Sequence, residues 1–473
     1  MSLFIKKLIG FSVGPVTGAF IAFITIPLTT YFIDPSEYGK ASMFALFQMI
    51  FGTFLYLGID QSYTREYHSE QNKLNLLQNA MLIPLSLSVM LFLLILIMPE
   101  KVSVILFESP SYVVPSILFG VMIVAMVIER FILLSIRMEE KALEYSIINI
   151  FVKLSILIFT LLFVLFIRRD FLAVVYATVL GQIIGDLYLI FRYKKLFAIN
   201  KFSLDTQLLK KMIFFGFPIV IATSLSSILN SFDRISLRTW STFYEIGIFA
   251  ATLKIAATFN IVQTSFTSFW VPTAYRWYEE KKEIRYFKIV SDSILLLMSI
   301  LFFGILFFKS IIINILSPDY GDAKYILAFL CLQPIIYTVS ETTCLGITFS
   351  RKSYLSIWVG IVAIIPNVII NILLVSKFGA LGAGIATSVS YVFFFITRTY
   401  FSNKNGMKFP VIKHYAVILL LVTGAFLNIL NTDKIIALNI ILLILTLGVQ
   451  FSTIRQIVYL LNKNNKKFIL NLK

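Results

Sequence analysis

Three cationic side chains interrupt long apolar stretches of this sequence of 473 residues, namely Arg130, Lys153 and Lys254. A lysine or arginine at the centre of a bilayer costs roughly 2.5 to 3.5 kcal/mol on insertion scales, so it normally faces a wet cavity or a partner. Both side chains also donate hydrogen bonds to phosphate oxygens. The three positions therefore predict a cavity that compensates the charge of a phosphate or diphosphate.

Lys254 gives the clearest signal, because polar residues follow it at helical spacing, namely Thr258, Ser265 and Ser268. Arg234 ends a similar stripe in the preceding apolar stretch. Simpler interpretations exist for these features: Glu129 directly precedes Arg130, a lysine near the end of a span snorkels to the surface, and hydroxyl side chains join neighbouring helices. Our hypothesis is a substrate-binding cationic cavity formed by Lys254, Lys153, Arg130 and Arg234.

Acidic residues also occur in or beside the apolar stretches, namely Glu129, Asp186, Asp292 and Glu341. Such an acid either carries a coupling H⁺ or Na⁺ or pairs with a neighbouring cation, and the sequence leaves both open. We predict Glu129 and Glu341 as possible ion-coupling residues. No phosphate-binding loop, metal-binding cluster or catalytic loop is evident, so we expect no enzyme, no metal and no further cofactor.

The elements that carry these residues must be membrane helices. With 59% hydrophobic and 14% charged residues, the chain has too little polar surface for a water-soluble core. Apolar runs of about 20 residues are long enough to cross the ~30 Å hydrocarbon layer as helices, and they lack the alternation of barrel strands. We predict an all-α membrane protein of about fourteen spans. The predicted spans are 8–32, 41–59, 76–98, 113–136, 147–167, 171–191, 212–232, 246–271, 289–308, 325–347, 354–376, 380–400, 412–430 and 435–454.

The charges between these spans predict the orientation of the chain. The net charge is +17, and 28 of the 41 lysines and arginines fall on the side of the N-terminus, with Arg398 counted among them, against 10 on the other side. Both termini are therefore expected in the cytoplasm. A nucleic-acid-binding protein would instead gather its basic residues on one soluble face, so we expect no nucleic-acid partner.

Landmarks of the first half recur in the second at nearly one offset, which predicts an internal duplication. Glu129 matches Glu341, and further matched pairs include Glu37 with Glu245, Gly39 with Gly247, Arg65 with Arg276, and Leu172 with Leu381. Six spans per half give two lobes in parallel repeat, an architecture suited to alternating access. The predicted lobes are 1–200 and 201–411, followed by two additional spans and a basic tail in 412–473.

A recognisable motif lies near the N-terminus and is made of Ile26-Pro27-Leu28, Asp34-Pro35-Ser36-Glu37-Tyr38-Gly39, Leu57-Gly58-Ile59-Asp60 and Arg65-Glu66-Tyr67. The motif resembles that of polysaccharide (O-antigen) repeat-unit flippases, Wzx type, of the MATE-like MOP (multidrug/oligosaccharidyl-lipid/polysaccharide) exporter superfamily. The resemblance implies export of undecaprenyl-diphosphate-linked oligosaccharide across the bacterial inner membrane for O-antigen, capsule or related glycans. It also implies that Asp60 and Arg65 form a gate or contact the lipid headgroup, and that a polymerase and chain-length proteins are partners.

Three other functions remain open. A MATE-type multidrug exporter would bind cations with membrane carboxylates, whereas a lysine such as Lys254 repels a cationic drug. A flippase for the peptidoglycan precursor would carry the same diphosphate. A membrane enzyme of glycan assembly would need a large loop or a soluble domain, and no loop between the predicted spans exceeds about 20 residues.

Overall fold

The structure is a computed structural model that describes residues 2–197, 202–350, 352, 354–430 and 432–459. In these ranges the regular elements are all helices, so the predicted all-α fold is confirmed. The α-helices of the first half are α1 (Ser2–Phe32), α2 (Pro35–Leu55), α3 (Ile59–Glu66), α4 (Lys73–Ile97), α5 (Pro99–Phe107), α6 (Val113–Met138), α7 (Ala142–Phe166) and α8 (Phe171–Arg192). Those that follow are α9 (Thr206–Trp240), α10 (Phe243–Ala256), α11 (Phe259–Glu279), α12 (Ile284–Asn314), α13 (Ala323–Thr343), α14 (Leu345–Phe349), α15 (Tyr354–Lys404), α16 (Ile412–Leu427) and α17 (Ile435–Val449).

Each of the fourteen predicted spans falls on one or two of these helices. In the described ranges eight helices are long and apolar enough to cross a membrane, or up to ten if each bent pair of helices is one span. Four predicted spans contain a break. Helices α2 and α3 meet at 53° within 41–59, and Ile435–Val449 meets the helix Phe451–Tyr459 at 61° within 435–454. The stretch 246–271 divides into α10 and α11, and 325–347 divides into α13 and α14. The range α15 contains a kink at Gly379, whose φ is 51° and ψ is −129°, and this kink lies between the predicted spans 354–376 and 380–400. The count of fourteen therefore stays a prediction.

The chain divides into two compact units. Unit 1 comprises Met1–Arg234 and Thr242–Ala250, and unit 2 comprises Ile235–Ser241 and Ala251–Lys473. The predicted lobes 1–200, 201–411 and 412–473 remain a hypothesis about the sequence repeat.

Unit 1 is held together by aromatic packing between its helices. Phe44 of α2 contacts Phe119 of α6 edge to face, with 5.4 Å between ring centroids. Around α3, Tyr63 is fully buried and its ring lies 6.4 Å from that of Phe131 on α6. Such rings bury large apolar areas and favour edge-to-face geometry. The short helix α3 is therefore fixed on α6, although it is only eight residues long.

Helix α2 begins where its sequence predicts a helix start. Asp34 Oδ1 accepts hydrogen bonds from the backbone N–H groups of Ser36 (3.0 Å) and Glu37 (3.2 Å). These bonds satisfy donors that the first turn leaves without partners. Pro35 occupies the first turn, where its lack of an N–H has no cost. The Asp-Pro-Ser-Glu motif thus fixes where the chain turns between α1 and α2.

Unit 2 is built around α13, most of whose residues are buried, with α12, α15 and α16 packed against it. A buried ionic cluster joins α16 to α12. Asp292 of α12 accepts hydrogen bonds from Lys288 (2.8 Å) and Lys413 (3.0 Å). His414 is fully buried, and its Nε2 lies 2.8 Å from Ser291 Oγ. The additional helices after the predicted repeat are therefore tied to unit 2 by charge as well as by apolar packing.

Loss of one cation from this cluster should weaken the attachment of α16. We expect Lys413→Met to lower the free energy of unfolding by about 1.5 kcal/mol, because a hydrogen bond to a charged group is lost from a buried carboxylate. The measurement is the midpoint of thermal unfolding in detergent. Lys408→Met, at an exposed position, is the matched control. Equal midpoints for the two variants would contradict the prediction.

Candidate functional site

Two residues predicted for separate tasks form one ion pair in unit 1. Arg130 Nη2 of α6 donates to Asp60 Oδ2 of α3 over 2.7 Å. Asp60 is 5% exposed, whereas the Arg130 side chain is 40% exposed. The guanidinium also lies 5.6 Å from the ring centroid of Tyr56. Arg130 is thus held by a buried acid on one side and remains accessible on the other.

The position of Asp60 follows from the break between α2 and α3. Leu57 and Gly58 have φ values of 48° and 66°, in the left-handed region, and together they turn the chain. A Cβ on Gly58 would overlap the backbone of Gly216 in α9. Ser62 Oγ donates to the backbone carbonyl of Met212 over 2.8 Å. The close backbone contact and this hydrogen bond fix α3 against α9.

A second ion pair follows at the end of α3. Glu66 is buried and lies 2.5 Å from Nζ of Lys211 on α9. The Arg65 guanidinium is exposed, lies over the ring of Phe215 at 4.2 Å and places its Nε 3.9 Å from Glu66. Neither Glu66 nor Lys211 was predicted as a site residue. The two residues lie 145 positions apart in the chain. No pattern in the sequence around either residue reveals their pairing.

Lys153 is exposed on α7, near both α1 and α6. A Cβ at Gly18 of α1 would contact Lys153 Cγ at 3.5 Å. Lys153 and Arg130 both supply positive charge to the carboxylate of Glu129. The structure therefore brings three of the predicted site residues, Arg130, Lys153 and Glu129, to adjoining faces of α6 and α7.

Arg234 and Lys254 are placed differently. Arg234 lies near the end of α9, beside Asp233, and its Nε is buried without a hydrogen-bond partner among the described residues. Lys254 is exposed near the end of α10, in the part of that helix assigned to unit 2. Arg130, Lys153 and Arg234 belong to unit 1. A single cavity lined by all four cations thus remains a prediction.

The polar stripe predicted beside Lys254 is not a continuous helix face, whereas the stripe that ends at Arg234 lies within α9. Because α10 ends at Ala256 and α11 begins at Phe259, the stripe after Lys254 is interrupted at Thr258. In the other stripe, the hydroxyl oxygen of Ser227 lies 3.0 Å from that of Thr53 on α2. This contact agrees with the simpler interpretation, in which hydroxyl residues join neighbouring helices.

The second predicted coupling acid, Glu341, is already paired. Arg398 Nη1 of α15 lies 2.7 Å from Glu341 Oε1 and donates to Ser340 Oγ over 2.8 Å. The guanidinium also lies 5.3 Å from the ring centroids of both Tyr337 and Phe394. Counting Arg398 as a loop cation was wrong, since it lies inside α15 with only 18% of its side chain exposed.

The described residues contain no group of three or more His, Cys, Asp or Glu side chains that could hold a metal ion. The exposed cations of this arrangement support ionic binding. Arg130 offers an accessible guanidinium, and Lys153 offers an exposed ammonium one helix away. Guanidinium groups bind phosphate oxygens through paired hydrogen bonds, and ammonium groups bind them as point charges.

Two solved structures with the same fold are a lipid flippase and a multidrug transporter. The lipid II flippase MurJ, in an inward closed conformation, aligns with a TM-score of 0.68 and 16% identity, over 96% of this chain and 100% of that chain. An inward-facing multidrug resistance transporter of the MATE family, MOP superfamily, aligns with a TM-score of 0.63 and 15% identity, over 84% and 97%. At these identities the likeness establishes the fold, so the chain is an all-α membrane protein of MATE-like fold.

Sequence comparison gives the family. The probable low-salt glycan biosynthesis flippase Agl15 of Haloferax volcanii is 24% identical over 151 residues, which span 31% of this chain and 32% of that protein. A family model described as "Polysaccharide biosynthesis protein" matches residues 4–277. This match covers more than half of the sequence and includes all the predicted site residues except Glu341. The protein belongs to the polysaccharide biosynthesis protein family.

Proposed function

We propose that this protein is a flippase that carries undecaprenyl-diphosphate-linked oligosaccharide repeat units from the cytoplasmic to the outer leaflet. The observation that carries the proposal is the Arg130–Asp60 pair, in which a buried carboxylate holds a half-exposed guanidinium between membrane helices. Asp60 keeps Arg130 oriented and neutralised when no cargo is bound. A diphosphate then offers the guanidinium a second, more highly charged partner on its accessible side.

The relatives support the same cargo chemistry. One is named as a glycan biosynthesis flippase and another as a lipid II flippase. Lys153 adds a second cation next to the Arg130 site, which suits a ligand with two phosphates. The proposal places the protein in the bacterial inner membrane with both termini in the cytoplasm. Its partners there are a polysaccharide polymerase and chain-length proteins, and it works by alternating access for O-antigen, capsule or a related glycan.

The test is the distribution of lipid-linked repeat units between the two leaflets in cells that express single variants. We expect Arg130→Gln and Lys153→Gln each to lower export at least about tenfold, as for loss of a charged hydrogen bond of about 1.4 kcal/mol or more. Arg130→Lys should be intermediate, because it keeps the charge but not the paired hydrogen bonds. Lys101→Gln, at an exposed position outside the proposed site, is the matched control.

Several results would contradict this function. Normal export by both glutamine variants would remove the cationic site from the mechanism. Efflux of a cationic dye by the purified protein, with no change in glycan export, would indicate the multidrug exporter instead. Rescue of cells that lack their peptidoglycan-precursor flippase, without any effect on other glycans, would indicate that precursor as the cargo.

A further inference from the structure

Two acidic side chains of unit 1 lie against one amide. Gln182 Nε2 donates to Asp186 Oδ1 over 3.0 Å, and both residues belong to α8. The same glutamine lies beside the carboxylate of Glu129 on α6. Asp186 is only 4% exposed, and its Oδ2 has no hydrogen-bond partner among the described residues. Burial of a carboxylate oxygen without a hydrogen-bond partner costs free energy. We therefore expect this oxygen to bind an occupant.

The surroundings restrict what that occupant can be. A Cβ on Gly185 would overlap Val152 of α7, and a Cβ on Gly181 would lie 2.7 Å from the backbone nitrogen of Ile156. The interface of α7 and α8 beside Asp186 is therefore fully packed. Hard metal cations are bound by six or more oxygen ligands, whereas the described side chains that meet here are two carboxylates and one amide. A proton needs only one oxygen.

Charged groups on the neighbouring helices also lie near this pair. On α6, Glu129 adds negative charge beside Asp186, and Arg130 is engaged by Asp60. On α7, Lys153 acts on Glu129.

The charged residues of α2, Glu37 and Lys40, lie at the other end of α8, beside Phe171. Lys153 and Arg130 thus place positive charge near Glu129, while Asp186 faces a like charge in an apolar interface.

The corresponding position in the second half of the chain carries a basic residue instead of an acid. Arg398 follows Asp186 by the same interval that separates Glu341 from Glu129. In unit 2, Glu341 and Arg398 form a salt bridge of 2.7 Å. At the position where unit 2 carries the guanidinium of Arg398, unit 1 carries the carboxyl group of Asp186. One repeat holds the permanent cation Arg398, and the other holds Asp186, one of whose oxygens has no hydrogen-bond partner among the described residues. This difference indicates that the unit 1 position receives a mobile positive charge.

We propose that Glu129 and Asp186 bind one proton between them and exchange it during transport. The proton adds to Asp186 Oδ2 and forms an O–H bond, so that the charge of the pair changes from −2 to −1. Release of the proton restores both carboxylates. Two adjacent carboxyl groups in an apolar setting hold one proton because they cannot both ionise readily. This inference rests on the proposed flippase function and supplies its coupling ion.

The experiment is infrared difference spectroscopy of the purified full chain in lipid nanodiscs without cargo, titrated with acid and base. We expect the C=O stretching band of a protonated buried carboxyl, and we expect Asp186→Asn to abolish it. Glu129→Gln should shift its titration midpoint to lower pH by about 1 unit, because the like charge is gone. Glu100→Gln, at an exposed position, should leave the band unchanged.

An absent band, a band that persists in Asp186→Asn, or loss of the band on adding Na⁺ at constant pH would overturn the proton site. Asp186→Glu, which keeps a carboxyl group, should keep a band and so separates loss of the proton from misfolding. The spectrum needs no glycan. A negative result therefore leaves the flippase proposal intact, and a failed glycan assay leaves the proton site intact.

Discussion

Replacing Arg398 by alanine is expected to destabilise unit 2 by about 3 to 5 kcal/mol, since it leaves a charged partner buried and alone. That partner is Glu341, whose side chain is 9% exposed. Glu341 belongs to α13, the most buried helix of unit 2, so water cannot easily reach the orphaned carboxylate. Arg398 also covers the faces of Tyr337 and Phe394, and these contacts would be lost as well.

The measurement is the thermal unfolding midpoint of the detergent-solubilised protein, followed by the fraction that stays monodisperse after heating. Lys404→Ala, at the exposed end of the same helix α15, is the matched control. The double variant Glu341→Gln with Arg398→Gln should recover most of the loss, because it leaves no buried charge. An Arg398→Ala midpoint equal to that of the control would show that the pair does not stabilise the fold.

The positions of the helices could be predicted because the thickness of a membrane sets a minimum length for each apolar run. An apolar run such as 113–136 must be a helix to satisfy its backbone in lipid, and α6 covers it and ends just beyond it at Met138. The start of α2 was readable for a different reason, since Asp34 and Pro35 are local signals. Both kinds of information lie within a few residues of the feature they determine.

The bends could not be predicted from the same information. Hydropathy records how apolar a stretch is, but the direction of the chain depends on single dihedral angles such as φ of Gly58. The turn that breaks 246–271 at Thr258 contains neither glycine nor proline, so no residue type marks it. Gly58 permits the left-handed φ of the first bend, but no residue type marks the second.

Most residues of the candidate site were predicted, but not which of them form ion pairs with one another. Asp60 and Arg130 were both identified, yet their contact joins positions 70 residues apart. Arg398 was assigned to a loop because a cation near the end of an apolar run usually marks the membrane surface. Its partner, Glu341, lies on another helix. Charge partners on different helices depend on tertiary packing, which the order of residues along one helix does not encode.

Gly39→Ala and Gly247→Ala are each expected to destabilise unit 1 by about 3 kcal/mol, at the upper end of the usual cost of overpacking. The two glycines occupy corresponding positions in the predicted repeat. A Cβ on Gly39 of α2 would overlap the carbonyl oxygen of Phe243, and one on Gly247 of α10 would overlap that of Pro35. Both obstacles are backbone atoms, so no change of rotamer relieves the clash and the helices must separate.

The measurement is the yield of monodisperse protein together with the leaflet assay for glycan export, and both should fall for either variant. Gly304→Ala is the matched control, because a Cβ at this position on α12 meets nothing within 4 Å. That control should be neutral or slightly stabilising, since alanine is favoured over glycine inside a helix by roughly 0.5 to 1 kcal/mol. Wild-type yield and export in both Gly39→Ala and Gly247→Ala would mean that α2 and α10 tolerate a wider separation, and that their backbone contact is not required for folding or transport.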